Sequence, residues 1–303
     1  MKHIFIVNPG AGQGMKAPEL EEKLKKLDID FEIYETKAAK DATNYVRSRC
    51  ESGEELRFYA CGGDGTIKEV MEGAVGFPNA SITCYPVGSG NDFVKCFGGK
   101  EKFMDLESLV KGEAKPTDII KVDDDFCINA CHFGLDSAVA KTMAQVKRKK
   151  IIGGKNAYIT GVVKAFICNM KTKGKIIADG EVIADGEYLL CAVSNGQYVG
   201  GMFRCAPKAA VDDGLLEVCL VKPVSRLTFL KLVKYYIEGS HLDNPKFKNI
   251  LIYRKCKKVE VFAEEGFTAS LDGELVETTH FVAEVEPGAV NFAVPCEKVP
   301  AEV

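Results

Sequence analysis

The chain has 303 residues, 46% of them apolar and 27% charged, with a formal net charge of −3. That length suits about two folded domains, and the composition is that of a folded globular protein rather than a disordered or fibrous one. The mild negative charge excludes the strong basic footprint that nucleic-acid binding needs, so partners must be sought in local charge.

The first apolar run, Ile4-Phe5-Ile6-Val7, is ended by Asn8-Pro9-Gly10 and is too short for a signal core. Strands are predicted over residues 3–7, 31–36, 56–61 and 81–86. Between them, Leu20, Leu24 and Leu27 share one helical face, and so do Ile67, Val70, Met71 and Ala74. This alternation predicts an α/β N-terminal domain with a parallel sheet over residues 1–120. After Pro116 the pattern becomes strands separated by turn signals, including the hairpin dipeptides Asp179-Gly180 and Asp185-Gly186. A β-rich, β-sandwich-like C-terminal domain is predicted over residues 121–287. Helices interrupt it at residues 134–170, with a break at Gly153-Gly154, and at 226–239 behind a Ser225 cap. The last strand, 290–294, follows Pro287-Gly288 and can return to the first domain, which residues 288–303 would then complete.

Twelve cysteines occur without a Cys-x-x-Cys pair, and Cys61, Cys84, Cys127, Cys191 and Cys219 sit in apolar strand-like runs. They read as reduced core residues in a cytoplasmic, reducing compartment. Four scattered histidines give a zinc or iron site little support. The most apolar later stretch, 157–168, is interrupted by Thr160, Gly161 and Lys164 and falls short of the roughly eighteen residues a membrane span needs.

Three glycine-bearing loops follow predicted strands: Asn8-Pro9-Gly10-Ala11-Gly12, Gly62-Gly63-Asp64-Gly65-Thr66 and Gly88-Ser89-Gly90-Asn91-Asp92-Phe93. The second runs straight into a helix, so its backbone N–H groups suit a phosphate. Asp64, negative itself, makes sense there as a magnesium partner. Alone, a Gly-Gly-Asp-Gly is as often a plain helix cap. Three such loops at one end of a parallel sheet point to one nucleotide site.

With these loops, Asn129, Gly134-Leu135-Asp136, Ala206-Pro207, Asp213-Gly214 and Asp272-Gly273-Glu274 stand in the order of one known family. The chain resembles the diacylglycerol kinase catalytic family, which includes sphingosine kinases and bacterial lipid kinases. The resemblance implies a kinase that transfers the γ-phosphoryl group of ATP to a lipid hydroxyl with Mg2+. It implies nucleotide contacts at Asn8, Pro9, Gly10, Ala11, Gly12, Thr36, Gly62, Gly63, Asp64, Gly65, Thr66, Ile67, Lys68 and Ser89. Asp64 and Asp92 match acidic residues near the reacting phosphate and its magnesium, and Glu274 matches the general base. Asp213, with the carbonyls of Ala210 and Leu215, matches a second, structural metal site of bacterial members. Two departures stand out: Ser89 replaces a threonine, and Val94-Lys95 replaces a small residue followed by arginine, leaving a point charge where a bidentate fork is typical.

From Lys141 to Lys175 there are ten Lys and Arg residues and no Asp or Glu, including Lys147-Arg148-Lys149-Lys150 beside Ile151-Ile152. A basic and apolar mixture of this kind suits peripheral contact with an anionic membrane. The alternatives are a kinase for a soluble acceptor, since NAD kinases also carry Gly-Gly-Asp-Gly, and a non-catalytic lipid or nucleotide carrier. Presence of Asp64, Asp92 and Glu274 together argues against the carrier. The particular lipid, and monomer against homodimer, stay open at the level of sequence.

Overall fold

The computed structural model describes residues 1–12, 16–135, 137 and 171–297. Asp136, most of the helix predicted at 134–170 and most of the basic stretch from Lys141, including Lys147 to Lys150, lie outside the described residues. The chain divides into two compact units, one of Met1–Asp118 with Pro287–Val303 and the other of Ile119–Glu286.

In the first unit the elements run β1 (Lys2–Val7), α1 (Ala17–Leu24), β2 (Phe31–Glu35), α2 (Asp41–Cys50), β3 (Leu56–Gly62), α3 (Asp64–Ala74) and β4 (Ala80–Pro86). A 3-10 turn at Phe93–Phe97 and the short helices α4 (Lys100–Phe103) and α5 (Leu106–Val110) lead into β5 (Glu113–Val122), along which the chain leaves the unit. Strands β3 and β4 are buried along their whole length, as parallel strands covered on both faces are. β1 pairs in parallel with both β2 and β3, and β3 with β4. The spatial order is therefore β2, β1, β3, β4. α3 packs through Ile67, Val70 and Met71, and full burial of each such side chain is worth about 1.5–3 kcal/mol. α1 ends at Leu24, so Leu27, predicted on its face, belongs to the turn beyond, where its N–H donates to the Leu24 carbonyl.

The second unit holds β6 (Asp125–Cys127), β7 (Ala130–Gly134), β8 (Thr172–Ala178), β9 (Glu181–Tyr188), β10 (Leu190–Ser194), β11 (Leu216–Val221), α6 (Arg226–Glu238), β12 (Leu251–Cys256), β13 (Lys258–Leu271) and most of β14 (Glu274–Val294). β12, β11, β10, β7 and β13 lie side by side, each antiparallel to the next. β13 is the corner of the sandwich. Its first half pairs with β8 and its second half with β7, and its pairing with β14 shifts register between Phe262 and Phe267. Period-two alternation sorts side chains to two cores. Cys131, Phe133, Cys191, Val193, Val218 and Leu220 face one core with Val259, Val261, Phe267 and Phe281. Leu190, Ala192, Cys219 and Val221 face the other, which α6 covers with Phe229, Leu232 and Tyr236.

Asp179-Gly180 forms the predicted β8–β9 turn, both residues at positive φ. Asp185-Gly186 does not turn the chain: Asp185 pairs with Lys175 and Gly186 with Gly174 inside the same hairpin. The first dipeptide already closes this hairpin, and Gly186 is absorbed into the strand at φ 123. The end of β14 belongs to the first unit, where Asn291 and Phe292 pair in parallel with Ser81 and Ile82 of β4. Every described cysteine is free, and Cys61, Cys84, Cys127, Cys191 and Cys219 are buried. No helix among the described residues is long and apolar enough to cross a membrane.

One buried base inside the first sheet gives the fold a pH signature. His3 Nδ1 lies 2.7 Å from the Tyr59 hydroxyl, and burial, then the Arg57 charge, push the imidazole down to about 4. The unfolded chain takes up this proton near pH 6.5, so the stabilisation is present above 6.5 and is lost as pH falls toward 4. Asp64, raised to about 6, shifts stability the opposite way in that window, so wild type alone does not isolate His3. The expected result is that the difference in unfolding free energy between wild type and His3→Gln changes between pH 7 and pH 4, with wild type losing more. Parallel curves from denaturant melts would remove His3 from the pH dependence.

Candidate active site

The strand order β2, β1, β3, β4 reverses its winding between β1 and β3, and ligands bind open α/β sheets beyond the carboxyl ends of the strands at such a point. Two of the glycine loops leave from there. Asn8 follows β1, and its amide Nδ2 donates to the Thr66 hydroxyl 3.1 Å away at the start of α3. Its Oδ1 accepts from the Gly10 N–H at 2.9 Å, and its carbonyl accepts from Ala11 N–H, so one side chain shapes its own loop and ties it to the next. Thr36, past the end of β2, donates its N–H to the Val7 carbonyl and stands at the same sheet edge.

The second and third loops are pressed together. A Cβ at Gly88 would lie 2.5 Å from Gly63 Cα, and one at Gly12, with φ +59, would lie 1.9 Å from the Val87 carbonyl oxygen. Real Cβ atoms do not approach so closely, so glycine at both places is what lets three backbones share this edge. Asp64 fastens the contact. Its Oδ1 accepts from Asp92 N–H at 2.6 Å and its Oδ2 from Asn91 N–H at 2.8 Å. Asn91 sits at positive φ and donates its Nδ2 to the Gly88 carbonyl, which holds the turn in that shape. Lys95 forms an ion pair with Asp92.

Burial, then the adjacent Asp92 carboxylate, push Asp64 up to about 6, while the two amides and Lys95 pull the other way. Two carboxylates held this close favour a cation between or beside them, and hard oxygen donors of this kind suit magnesium. The residues at this edge therefore fit the metal that the sequence implies.

The remaining sequence-predicted residues are distributed as follows. Pro9, Gly10, Gly12, Gly65 and Ser89 are exposed, whereas Thr66, Ile67 and Lys68 are buried. Lys68 is 2% exposed, with its ammonium 3.5 Å from Glu72 one turn along α3. Glu274 belongs to the second unit, where Asp272-Gly273, both at positive φ, turn β13 into β14 and leave it exposed at the start of the strand.

Asp272 is the residue that sequence reasoning treated only as a turn former. Its carboxylate accepts from the N–H groups of Ile128 at 2.7 Å, Ala130 at 2.9 Å and Asn129 at 3.2 Å. Asn129 in turn accepts from the N–H groups of Asn195 and Gly196 and donates to the Tyr198 carbonyl. The turn carrying Glu274 is thus anchored to the loop before β7. An Asp beside Gly in a family motif was the only signal available for this role.

Asp213 lies at a turn with Gly214 at φ +70, its Oδ1 accepting from Leu215 N–H at 3.1 Å. Its Oδ2 pairs with Lys255 Nζ at 2.7 Å, and the same ammonium is 3.3 Å from the buried Glu217 carboxylate. The charge that a metal at Ala210, Asp213 and Leu215 would bring is already supplied by Lys255, so these residues do not call for one.

Two family models cover nearly the whole chain: the diacylglycerol kinase catalytic domain at residues 2–122 and the YegS C-terminal NAD kinase beta sandwich-like domain at residues 129–294. The chain is 27% identical over 276 residues to a protein of Bacillus subtilis (strain 168) named diacylglycerol kinase, covering 89% of this chain and 88% of that one. It is 30% identical to the "Probable lipid kinase YegS-like" of Serratia proteamaculans (strain 568), covering 97% and 95% of the two chains. Among solved structures, a diacylglycerol kinase from Bacillus anthracis str. Sterne matches with a TM-score of 0.70 and 25% identity, over 100% of this chain and 98% of that one. A parallel sheet with three glycine loops at its edge, a β-sandwich behind it in sequence and these relatives together make the chain an ATP-dependent kinase of the diacylglycerol kinase and YegS-like lipid kinase family.

Proposed function

We propose that the chain phosphorylates diacylglycerol or a closely related lipid alcohol, with Asp64, Asp92 and Glu274 carrying the chemistry. The observation that carries the catalytic reading is the Asp64 carboxylate clasped by the amides of Asn91 and Asp92, which builds one rigid anionic edge out of two loops. The choice of diacylglycerol rests on the relative of that name, similar over 89% of the chain.

Phosphoryl transfer asks little covalent work of a protein; positioning and charge stabilisation do most of it. The amides at the start of α3 and the loop shaped by Asn8 receive the phosphates. Asp64 and Asp92 would hold magnesium, which neutralises charge on the transferring group when bound. The acceptor hydroxyl forms its bond to the γ-phosphorus as the bridging oxygen leaves with ADP, and Glu274 takes the hydroxyl proton. Lys95, in place of an arginine, keeps Asp92 paired through one ammonium rather than a planar fork.

Labelled ATP offered with diacylglycerol, a monoacyl lipid, a sphingoid base, phosphatidylglycerol and undecaprenol, with NAD and a sugar phosphate as controls, tests the acceptor. The expected product is phosphatidic acid. Labelling of NAD or the sugar phosphate alone would move the chain to the soluble-acceptor class.

Glu274→Gln keeps shape and removes basicity. Its kcat is expected to fall about 10²–10⁴-fold at saturating magnesium-ATP, with stability within about 0.5 kcal/mol of wild type. An unchanged kcat in a stably folded variant takes Glu274 out of the mechanism.

The Lys255 ion cluster makes a separate, purely structural expectation. Lys255→Met leaves Glu217 buried without its cation and should cost about 1–3 kcal/mol, read as a lower denaturant midpoint. Chelation with EDTA should leave the wild-type midpoint unchanged. A wild-type midpoint that drops on chelation would instead restore a structural metal at Asp213.

A further inference from the structure

The helix α6 has two apolar faces where one is enough. Ser225 caps it, its hydroxyl accepting from Thr228 N–H, and Gly239 ends it at φ +75. Phe229, Leu232 and Tyr236 enter the core and account for its docking on the sheet. The opposite side presents Leu227, 73% exposed, Leu230, 58% exposed, and Ile237. At 3.6 residues per turn these three lie within an arc of about 140° that runs from Arg226 to Lys231 and also holds Lys234 and Glu238.

Large apolar side chains scattered singly over a surface need no explanation, but three on one helical arc, interleaved with cations, form a patch. Lys231 and Lys234 have stems long enough to lie along such a surface with their ammonium groups directed outward. This composition matches helices that lie in the headgroup region of a bilayer, apolar residues entering the acyl boundary and cations meeting lipid phosphates. A second copy of the chain fits less well. An isologous pairing would set Lys231 and Lys234 against the same cations of the other subunit.

We propose that the outer face of α6 is a docking surface for an anionic membrane, seating Leu227, Leu230 and Ile237 at the acyl boundary. The proposal rests on the lipid-acceptor reading, because an enzyme whose acceptor resides in a bilayer has to work at its surface. It assigns membrane contact to a helix distinct from the basic stretch beginning at Lys141.

The chain contains no tryptophan, so Leu230→Trp in the full-length protein places a single reporter on the proposed face. With phosphatidylglycerol vesicles its emission should shift to the blue and be quenched by brominated acyl chains, and both effects should weaken with salt. Neutral phosphatidylcholine vesicles should give much less. Adding Lys231→Gln and Lys234→Gln should weaken vesicle affinity about fivefold per cation removed. Co-sedimentation with unchanged emission would put the membrane contact elsewhere and overturn the proposal, as would failure to sediment at low salt. A blue shift without vesicles that grows with protein concentration would assign the face to self-association instead. Turnover of a short-chain diacylglycerol in solution, measured on wild type, reports the acceptor reading separately: turnover without insertion at residue 230 sinks only the docking face, whereas NAD phosphorylation without lipid turnover sinks the acceptor reading.

Discussion

The first unit depends on one carboxylate receiving two backbone amides. Asp64 stands at the head of α3, and the N–H groups it accepts belong to a turn 27 and 28 residues further along the chain. A hydrogen bond to a charged group contributes roughly 1.5–3 kcal/mol, more than a neutral one, and two on one carboxylate fix both position and orientation. The Val87 and Gly88 N–H groups also donate to the Gly62 carbonyl, and with the clasp these bonds keep Gly63 and Gly88 in contact against the repulsion of Asp64 and Asp92. The same two amides that build the site also hold down a carboxylate that burial raises, so geometry and acidity are set by one arrangement.

The second unit uses the same device for a different end. Asp272 collects the N–H groups of Ile128, Asn129 and Ala130, which a loop between strands would otherwise leave unsatisfied. Asn129 extends the network to Asn195 and the Tyr198 carbonyl. A hairpin turn would ordinarily be among the more mobile parts of a sheet; here it is stitched to the loop before β7, the strand beside β13 in the sheet, so that the exposed Glu274 starts from a fixed backbone. In both units an aspartate fixes backbone, Asp64 between two loops and Asp272 beneath the turn that carries Glu274.

Much of this was legible in the sequence because burial on both faces leaves unmistakable apolar runs. The strands at residues 2–7, 31–35, 56–62 and 80–86, and the capped helix α6, fall where the periodicity places them. The glycine loops were legible because close backbone approach leaves no other residue type. What was not legible are the outcomes of competition between local signals. Asp185-Gly186 carries a turn signal as strong as Asp179-Gly180, but only one turn fits a hairpin of that length. Leu27 keeps the helical spacing although α1 has ended. Lys68 follows a phosphate motif yet lies buried beside Glu72, because a helix has an inner face whatever its first turn binds. In α6 the apolar positions 227, 230 and 237 and the apolar positions 229, 232 and 236 are equally hydrophobic on paper; packing alone shows which set the core takes.

Two pairs of nearby carboxylates show how one chain meets like charge in two ways. Glu217 is buried next to the turn of Asp213, and Lys255 on the neighbouring strand β12 places its ammonium against both. The neutralising charge is covalently part of the fold, needs no ion from solution and cannot leave. Asp64 and Asp92 are treated differently: Lys95 pairs with Asp92, yet the charge of Asp92 still pushes Asp64 upward. A residual repulsion of this sort is a cost in the free protein, and it is also an affinity for a cation that arrives with its phosphates. Were a second lysine placed beside Asp64, as Lys255 is beside Glu217, the edge would gain stability and the proposed magnesium site would lose its charge. The incomplete neutralisation at the end of the parallel sheet is therefore the feature that separates the proposed site from a turn held for structure.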